Sequence, residues 1–150
     1  MGKKAYFDEL ARALARPEAD QMCRHLDALA QYDESGTGEW PSEAFEEINF
    51  CYHDDPEKAF AYVILGASRS DNPKFLAGLG CGPLEDILEN PTDELLHRIV
   101  AEARKSARFR WLLSHPFKVA IAATAWDAIE KFRSTGPHEE PSAGIPPRHG

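Results

Sequence analysis

The sequence predicts an all-α fold, either a helical bundle or a short α-solenoid-like stack of about six to eight helices. Apolar residues recur at three- and four-residue spacing along most of the chain, and no run alternates with period two for long enough to make a strand. Proline, glycine and short capping residues interrupt those stripes often, leaving short connections that set neighbouring helices roughly antiparallel. With 150 residues, 43% of them hydrophobic, the chain has enough apolar surface for one core without staples. No internal repeat selects the stack over the bundle.

The elements follow in order. A first helix over residues 5–16 carries Phe7, Leu10, Ala11 and Leu14 on one face. Pro17 ends it or opens the next helix, whose apolar face is Ala19, Met22, Cys23, Leu26, Leu29 and Ala30. Residues 33–41 are rich in turn formers. A third helix over 42–52 presents Phe45, Ile48 and Tyr52, with Glu43, Glu46 and Glu47 near its positive end. Asp55-Pro56 reads as a helix start, a capping carboxylate before a proline at the first position, where no N–H is needed. That helix buries Phe60, Val63, Ile64 and Ala67 and ends near 68–72.

Residues 73–79 form a short helix leading into Gly-Leu-Gly-Cys-Gly-Pro-Leu-Glu-Asp-Ile-Leu, residues 78–88. This stretch reads as an elbow with Gly82 and Pro83 at the corner, and Glu85 and Asp86 in the first turn of the helix that follows. Glycines let such a turn lie against neighbouring backbone. A phosphate cradle does not fit, since no Lys-Ser/Thr follows and two carboxylates stand where the anion would sit. Pro91-Thr92-Asp93-Glu94 stops one helix and caps another, which buries Leu95, Leu96, Ile99, Val100 and Ala103. Phe109, Trp111, Leu112 and Leu113 make a dense apolar cluster before His115-Pro116. A last helix over 116–133 repeats Phe117, Ile121, Ala125, Ile129 and Phe132. Residues 1–133 therefore read as one helical domain, and the Pro/Gly-rich residues 134–150 as a disordered tail.

Charge narrows the function. There are 17 Lys+Arg against 25 Asp+Glu, a formal charge of −8. Nucleic acid and anionic membrane need a basic footprint, so neither is expected as a partner, whereas a basic protein is. Cys23, Cys51 and Cys81 are an odd, scattered set without a CxxC, as in a reduced cytoplasmic protein with free, mostly buried thiols. No apolar run suggests a signal peptide or a bilayer span.

Three chemistries find partial residue sets in the sequence. Residues 33–44 resemble the calcium loop of the EF-hand family, with Asp33, Ser35 and Thr37 at the first, third and fifth positions and Gly38 at the turn. Ala44 stands where that loop places its bidentate glutamate, and Trp40 where an aliphatic is usual, so calcium binding is the alternative rather than the expectation. Cys23-Arg-His25 and Cys51-Tyr-His53 match no zinc spacing, and no cofactor or metal is expected. No nucleophile motif, metalloprotease motif or phosphate loop occurs. Glu85, Asp86, Arg108 and Arg110 would form an acid–base constellation if the elbow packed on residues 108–113, most simply as structural ion pairs. An enzyme centred on Glu85 and Arg110 is the second alternative.

The segments Asp-Pro-Glu-Lys-Ala-Phe (55–60), Gly-Pro-Leu-Glu-Asp-Ile-Leu (82–88) and Ala-Arg-Phe-Arg-Trp-Leu-Leu (107–113), in that order, resemble an uncharacterised family of small helical bacterial domains. The resemblance covers residues 55–132 and implies a bacterial helical domain with no established activity and no catalytic residues. The expected function is thus a non-catalytic protein-binding module, in one form an immunity- or antitoxin-like inhibitor that occludes a basic partner. Glu43, Glu46, Glu47, Asp54 and Asp55 are the nominated contact face, although acids favoured by helix dipoles would produce the same cluster.

Overall fold

Side-chain caps set many of the helix boundaries. The computed structural model describes residues 8–142 and 144–148, so Phe7 and the rest of the first seven residues lie outside it. Helix α1 (Glu9–Leu14) starts at Asp8, whose carboxylate accepts from the Leu10 and Ala11 amides. Helix α2 (Ala19–Ser35) stops at Gly36, which adopts φ 69°, a left-handed conformation that glycine takes without steric cost. Helix α3 (Ser42–Phe50) runs into a 3-10 turn, Cys51–His53. Asp55 caps α4 (Pro56–Arg69) by accepting from the Lys58 amide at 3.0 Å, with Pro56 in the first turn as expected. Asn72 caps α5 (Pro73–Leu79), Thr92 caps α7 (Asp93–Lys105) and Ser106 caps α8 (Ala107–Leu113). A π turn, Gly80–Leu84, joins α5 to α6 (Glu85–Leu88), and α9 (Ala123–Ile129) closes the chain's regular structure with a 3-10 turn, Glu130–Phe132. No strand occurs among the described residues.

Helix α4 is the axis of the bundle. Every residue from Ala59 to Gly66 is buried, so α4 is enclosed on all sides rather than along one stripe. Helices α1, α2, α3 and α5 pack around it, and α7, α8 and α9 complete the far side of the same core. Packing around a shared axis makes this a bundle, not a solenoid.

The elbow is continuous helical backbone rather than a break between two helices. The backbone stays helical from α5 through α6, with Gly80 at φ −69°, ψ −47° and Glu85 at φ −62°, ψ −41°. Pro83 lacks an N–H and its ring crowds the preceding turn, and widening one turn to a π geometry accommodates it without breaking the rod. The glycine-based close approach does hold. A methyl group on Gly80 would lie 2.6 Å from the Leu112 carbonyl oxygen and 2.9 Å from His115 Cβ. Gly80→Ala is expected to force this rod off α8 and cost about 1–3 kcal/mol. Urea unfolding checks this, and a wild-type midpoint would contradict the packing.

The ionisable groups around this rod do not pair with each other as expected. Glu85 Oε2 accepts from the Phe117 amide at 2.9 Å, and Arg110 donates to the Ala103 carbonyl at 2.8 Å. Arg108 is buried and donates to the Ala67, Ser70 and Pro146 carbonyls and to Asp71. Burial, then the neighbouring Glu89 and Glu85 carboxylates, raise Asp86 from 3.8 to about 6, against the pull of His53. Between those values the native state holds a proton that the unfolded chain has lost, so stability falls as pH rises through the window. Asp86→Asn should therefore raise the melting temperature at neutral pH, with a gain that shrinks as pH drops from about 6 to 3.8. A gain independent of pH would contradict this.

Two further expectations are corrected. The last helix does not span 116–133: Pro116 favours extended backbone before it, Phe117 and Ile121 are extended, and only Lys118–Ala120 makes a 3-10 turn before α9. Phe117 and Ile121 thus share a helical spacing without sharing a helix. The tail, in its described residues, is packed rather than disordered. Arg133 donates to the Leu113 and Pro116 carbonyls, the Lys118 amide donates to Pro137, Ile145 packs on the core, and Arg148 pairs with Asp71.

Candidate functional site

Helix α3 stands as a ridge between two grooves. It buries Ala44 and Ile48 against the bundle, which turns Glu43 and Glu46 towards one flank and Phe45 and Asn49 towards the other.

The first flank is a shallow acidic groove of about 380 Å³, lined by Glu43, Glu46, Glu47 and Asp54 together with His25, Phe50 and Cys51. Four of the five nominated acids therefore converge. Glu43, Glu46 and Asp54 are exposed, and Glu46 and Asp54 have no ion pair among the described residues. Glu47 is instead held by Lys58 Nζ at 2.5 Å. Asp55 does not line the groove, because it caps α4 and pairs with Arg16 at 3.1 Å. At the groove, His25 Nδ1 lies 3.0 Å from the hydroxyl of the fully buried Tyr62. Burial, reinforced by Glu47, pushes the Tyr62 hydroxyl far up and the Cys51 thiol up to about 12. Both stay protonated at neutral pH, so neither is a ready nucleophile or base. What this flank offers is a set of carboxylates for cations.

The second flank is an apolar groove of about 210 Å³ between α2, α3 and α5, walled by Leu29, Phe45, Ile48, Phe75, Leu79 and Pro83. Asp33 and Lys74 also line it, and burial raises the Asp33 carboxyl against the pull of Lys74. A run of rings connects the two flanks: Tyr32 to Trp40 at 5.1 Å, Trp40 to Phe45 at 5.2 Å, and Phe45 to Phe50 at 6.4 Å between centroids. Trp40 is 45% exposed and Phe50 54% exposed, unusual for such large apolar side chains.

The model of a family of unknown function, DUF6869, matches residues 30–136, more than half of the chain. The chain belongs to that family. The family region contains α3, α5 and the π turn and begins well before residue 55, where the resemblance of the short motifs starts. No curated protein and no solved structure matches the chain.

The remaining predicted sites fare differently. Of the calcium-loop positions, Asp33 and Ser35 belong to the last turn of α2, and Asp33 lines the apolar groove. Among the described residues no group of three or more His, Cys, Asp or Glu side chains could hold a metal ion. His25 and Cys51, drawn from the two Cys-x-His pairs, do share the acidic groove. All three cysteines are free as expected, but Cys23 and Cys51 are half-buried and Cys81 is exposed, against the expectation of mostly buried thiols. Glu85 and Arg110 are each engaged with backbone and line neither groove. No helix among the described residues is long and apolar enough to cross a membrane.

A partly buried ion network leaves no local pattern in the sequence. Arg98 on α7 makes a two-pronged contact with Glu9 of α1 (2.9 and 3.0 Å) and reaches both oxygens of Glu57 on α4 (2.7 and 2.8 Å). Its partners lie 89 and 41 residues away, beyond any helical spacing rule. It fastens three helices and, with Arg12 and Arg16, lines a cleft of about 180 Å³.

Proposed function

We propose that this family member is a non-catalytic protein-binding module that receives a basic segment of another protein on the acidic flank of α3. The observation carrying the reading is the convergence of Glu43, Glu46 and Asp54, all exposed, on one groove beside the exposed Phe50. Exposed carboxylates of one sign steer a basic partner and reject acidic ones. The chain's formal charge of −8 acts in the same direction at longer range. An immunity- or antitoxin-like inhibitor of a basic protein is the concrete form of this role. Three unpaired thiols suit a reducing compartment such as the bacterial cytoplasm.

The test compares the wild-type chain with the triple variant Glu43→Lys, Glu46→Lys, Asp54→Lys as bait in extract of the source cell. The proposal expects a basic protein retained by the wild type and lost with the variant, by a salt-sensitive contact. Identical retained proteins on both baits would overturn it.

A further inference from the structure

The acidic flank accounts for only half of the ridge, and the apolar flank constrains what the partner brings. We propose that α3 is clasped by a basic amphipathic segment of a partner protein, which places one bulky apolar side chain in the groove between α2, α3 and α5 and its Lys or Arg side chains on the acidic flank. This rests on the binding reading above and names the chemistry of the partner.

Four observations lead there. The apolar groove, at about 210 Å³, lies below the range of about 300–1,000 Å³ usual for drug-sized ligands, so it suits a single side chain. Its walls are mainly apolar, with Asp33, Asn49 and Lys74 among them, and the partly exposed Trp40 stands at it like the aromatic anchors that dominate interface energetics. The acids sit on the opposite flank of the same short helix, within reach of one segment crossing a ridge about 10 Å wide. Phe50, exposed at the end of α3 and in ring contact with Phe45, gives that segment a continuous apolar path between the flanks. Charge selects among occupants. A second copy of a chain with formal charge −8 would bring acid against acid, whereas a basic segment complements the face.

Gly78 provides the decisive variant. It is exposed on α5, lines the apolar groove, and a Cβ added there meets nothing within 4 Å. Gly78→Leu therefore fills the groove without disturbing the core, and in a helix it should melt no lower than wild type. The probes are a short tryptophan-free Lys/Leu amphipathic peptide, oligolysine of equal length, and a Glu/Leu peptide. The readouts are calorimetric affinity and acrylamide quenching of Trp40, whose fellow tryptophans Trp111 and Trp126 are buried. The expected result is binding of the Lys/Leu peptide with protection of Trp40, weakened about tenfold or more both by Gly78→Leu and by Glu43→Lys with Glu46→Lys. Trp40→Ala, read by calorimetry, should weaken it as well and serves if the Gly78 variant misfolds. Oligolysine binding as tightly, with Gly78→Leu and Trp40→Ala indifferent, would overturn the clasp and leave the acidic-flank reading standing. No binding of any basic probe would overturn both. A self-associated chain that Gly78→Leu separates in sedimentation would overturn the clasp in favour of a second copy.

Discussion

Arg98→Ala is expected to lower the stability of this domain by about 3 kcal/mol, the lower end of the range for breaking a buried ion pair from one side, because Arg98 and Glu9 line a cleft shared with Arg12 and Arg16. Glu9 is only 5% exposed, and both of its carboxylate oxygens accept from Arg98. Removing the guanidinium leaves that carboxylate in the bundle with its charge unmet. Glu57 suffers less, being 38% exposed and 3.9 Å from Arg12. The loss is large against a total of about 5–15 kcal/mol for an ordinary domain. It should appear in urea unfolding as a lower midpoint, with α1 opening first to protease. The pair Glu9→Leu, Arg98→Met should recover most of it, since replacing both partners leaves no orphaned charge. A single-variant loss below about 1 kcal/mol would mean that solvent reaches Glu9 freely.

Arg108→Ala is the second large effect. The Arg108 side chain is 5% exposed and holds the Ala67 and Ser70 carbonyls where α4 ends, at 2.9 and 2.8 Å, as well as Asp71 at 2.8 Å and Pro146 at 3.0 Å. It satisfies carbonyls left over where a helix finishes and sets a cation at the negative pole of α4. Truncation should cost about 2–4 kcal/mol, from unmet buried carbonyls and a lost charged contact. It should also release residues 134–148, detected as faster proteolytic cutting there before any global unfolding. Arg108→Lys should rescue little, because an ammonium cannot reproduce the fork that spans these acceptors. Unchanged cutting of the tail would show that its other contacts, those of Arg133, Arg148 and Ile145 among them, hold it without Arg108.

Much of the fold is legible wherever a single local group causes the structure. Asp55 and Thr92 cap the helices they precede, and the apolar stripes of α2 and α7 face the core as their spacing requires. The stretch around Pro83 is different: a proline after glycines is compatible with a corner or with a widened turn. The close approach of Gly80 to Leu112, on another helix, likewise leaves no local pattern. The tail escapes composition for a related reason. It is held chiefly by arginines reaching carbonyls and Asp71 across separations of up to 80 residues, and no stripe records that. On the ridge, Glu43 and Glu46 are legible as neighbours on one helix face. Asp54 joins them because the 3-10 turn Cys51–His53 follows α3, and His25 because α2 packs beside it. The apolar flank is invisible to a one-helix view, since its walls come from α2, α3, α5 and the π turn.

The enclosure of α4 bears on how any ligand of α3 would be detected. Amide protons inside a helix buried on every side exchange only when the whole domain opens, so those from Ala59 to Gly66 report the global free energy of unfolding. The amides of α3, by contrast, belong to a surface ridge that local fluctuation uncovers. Occupation of either groove should slow deuterium uptake along α3 by more than it slows uptake in α4, and the difference between the two helices measures local protection apart from general stabilisation.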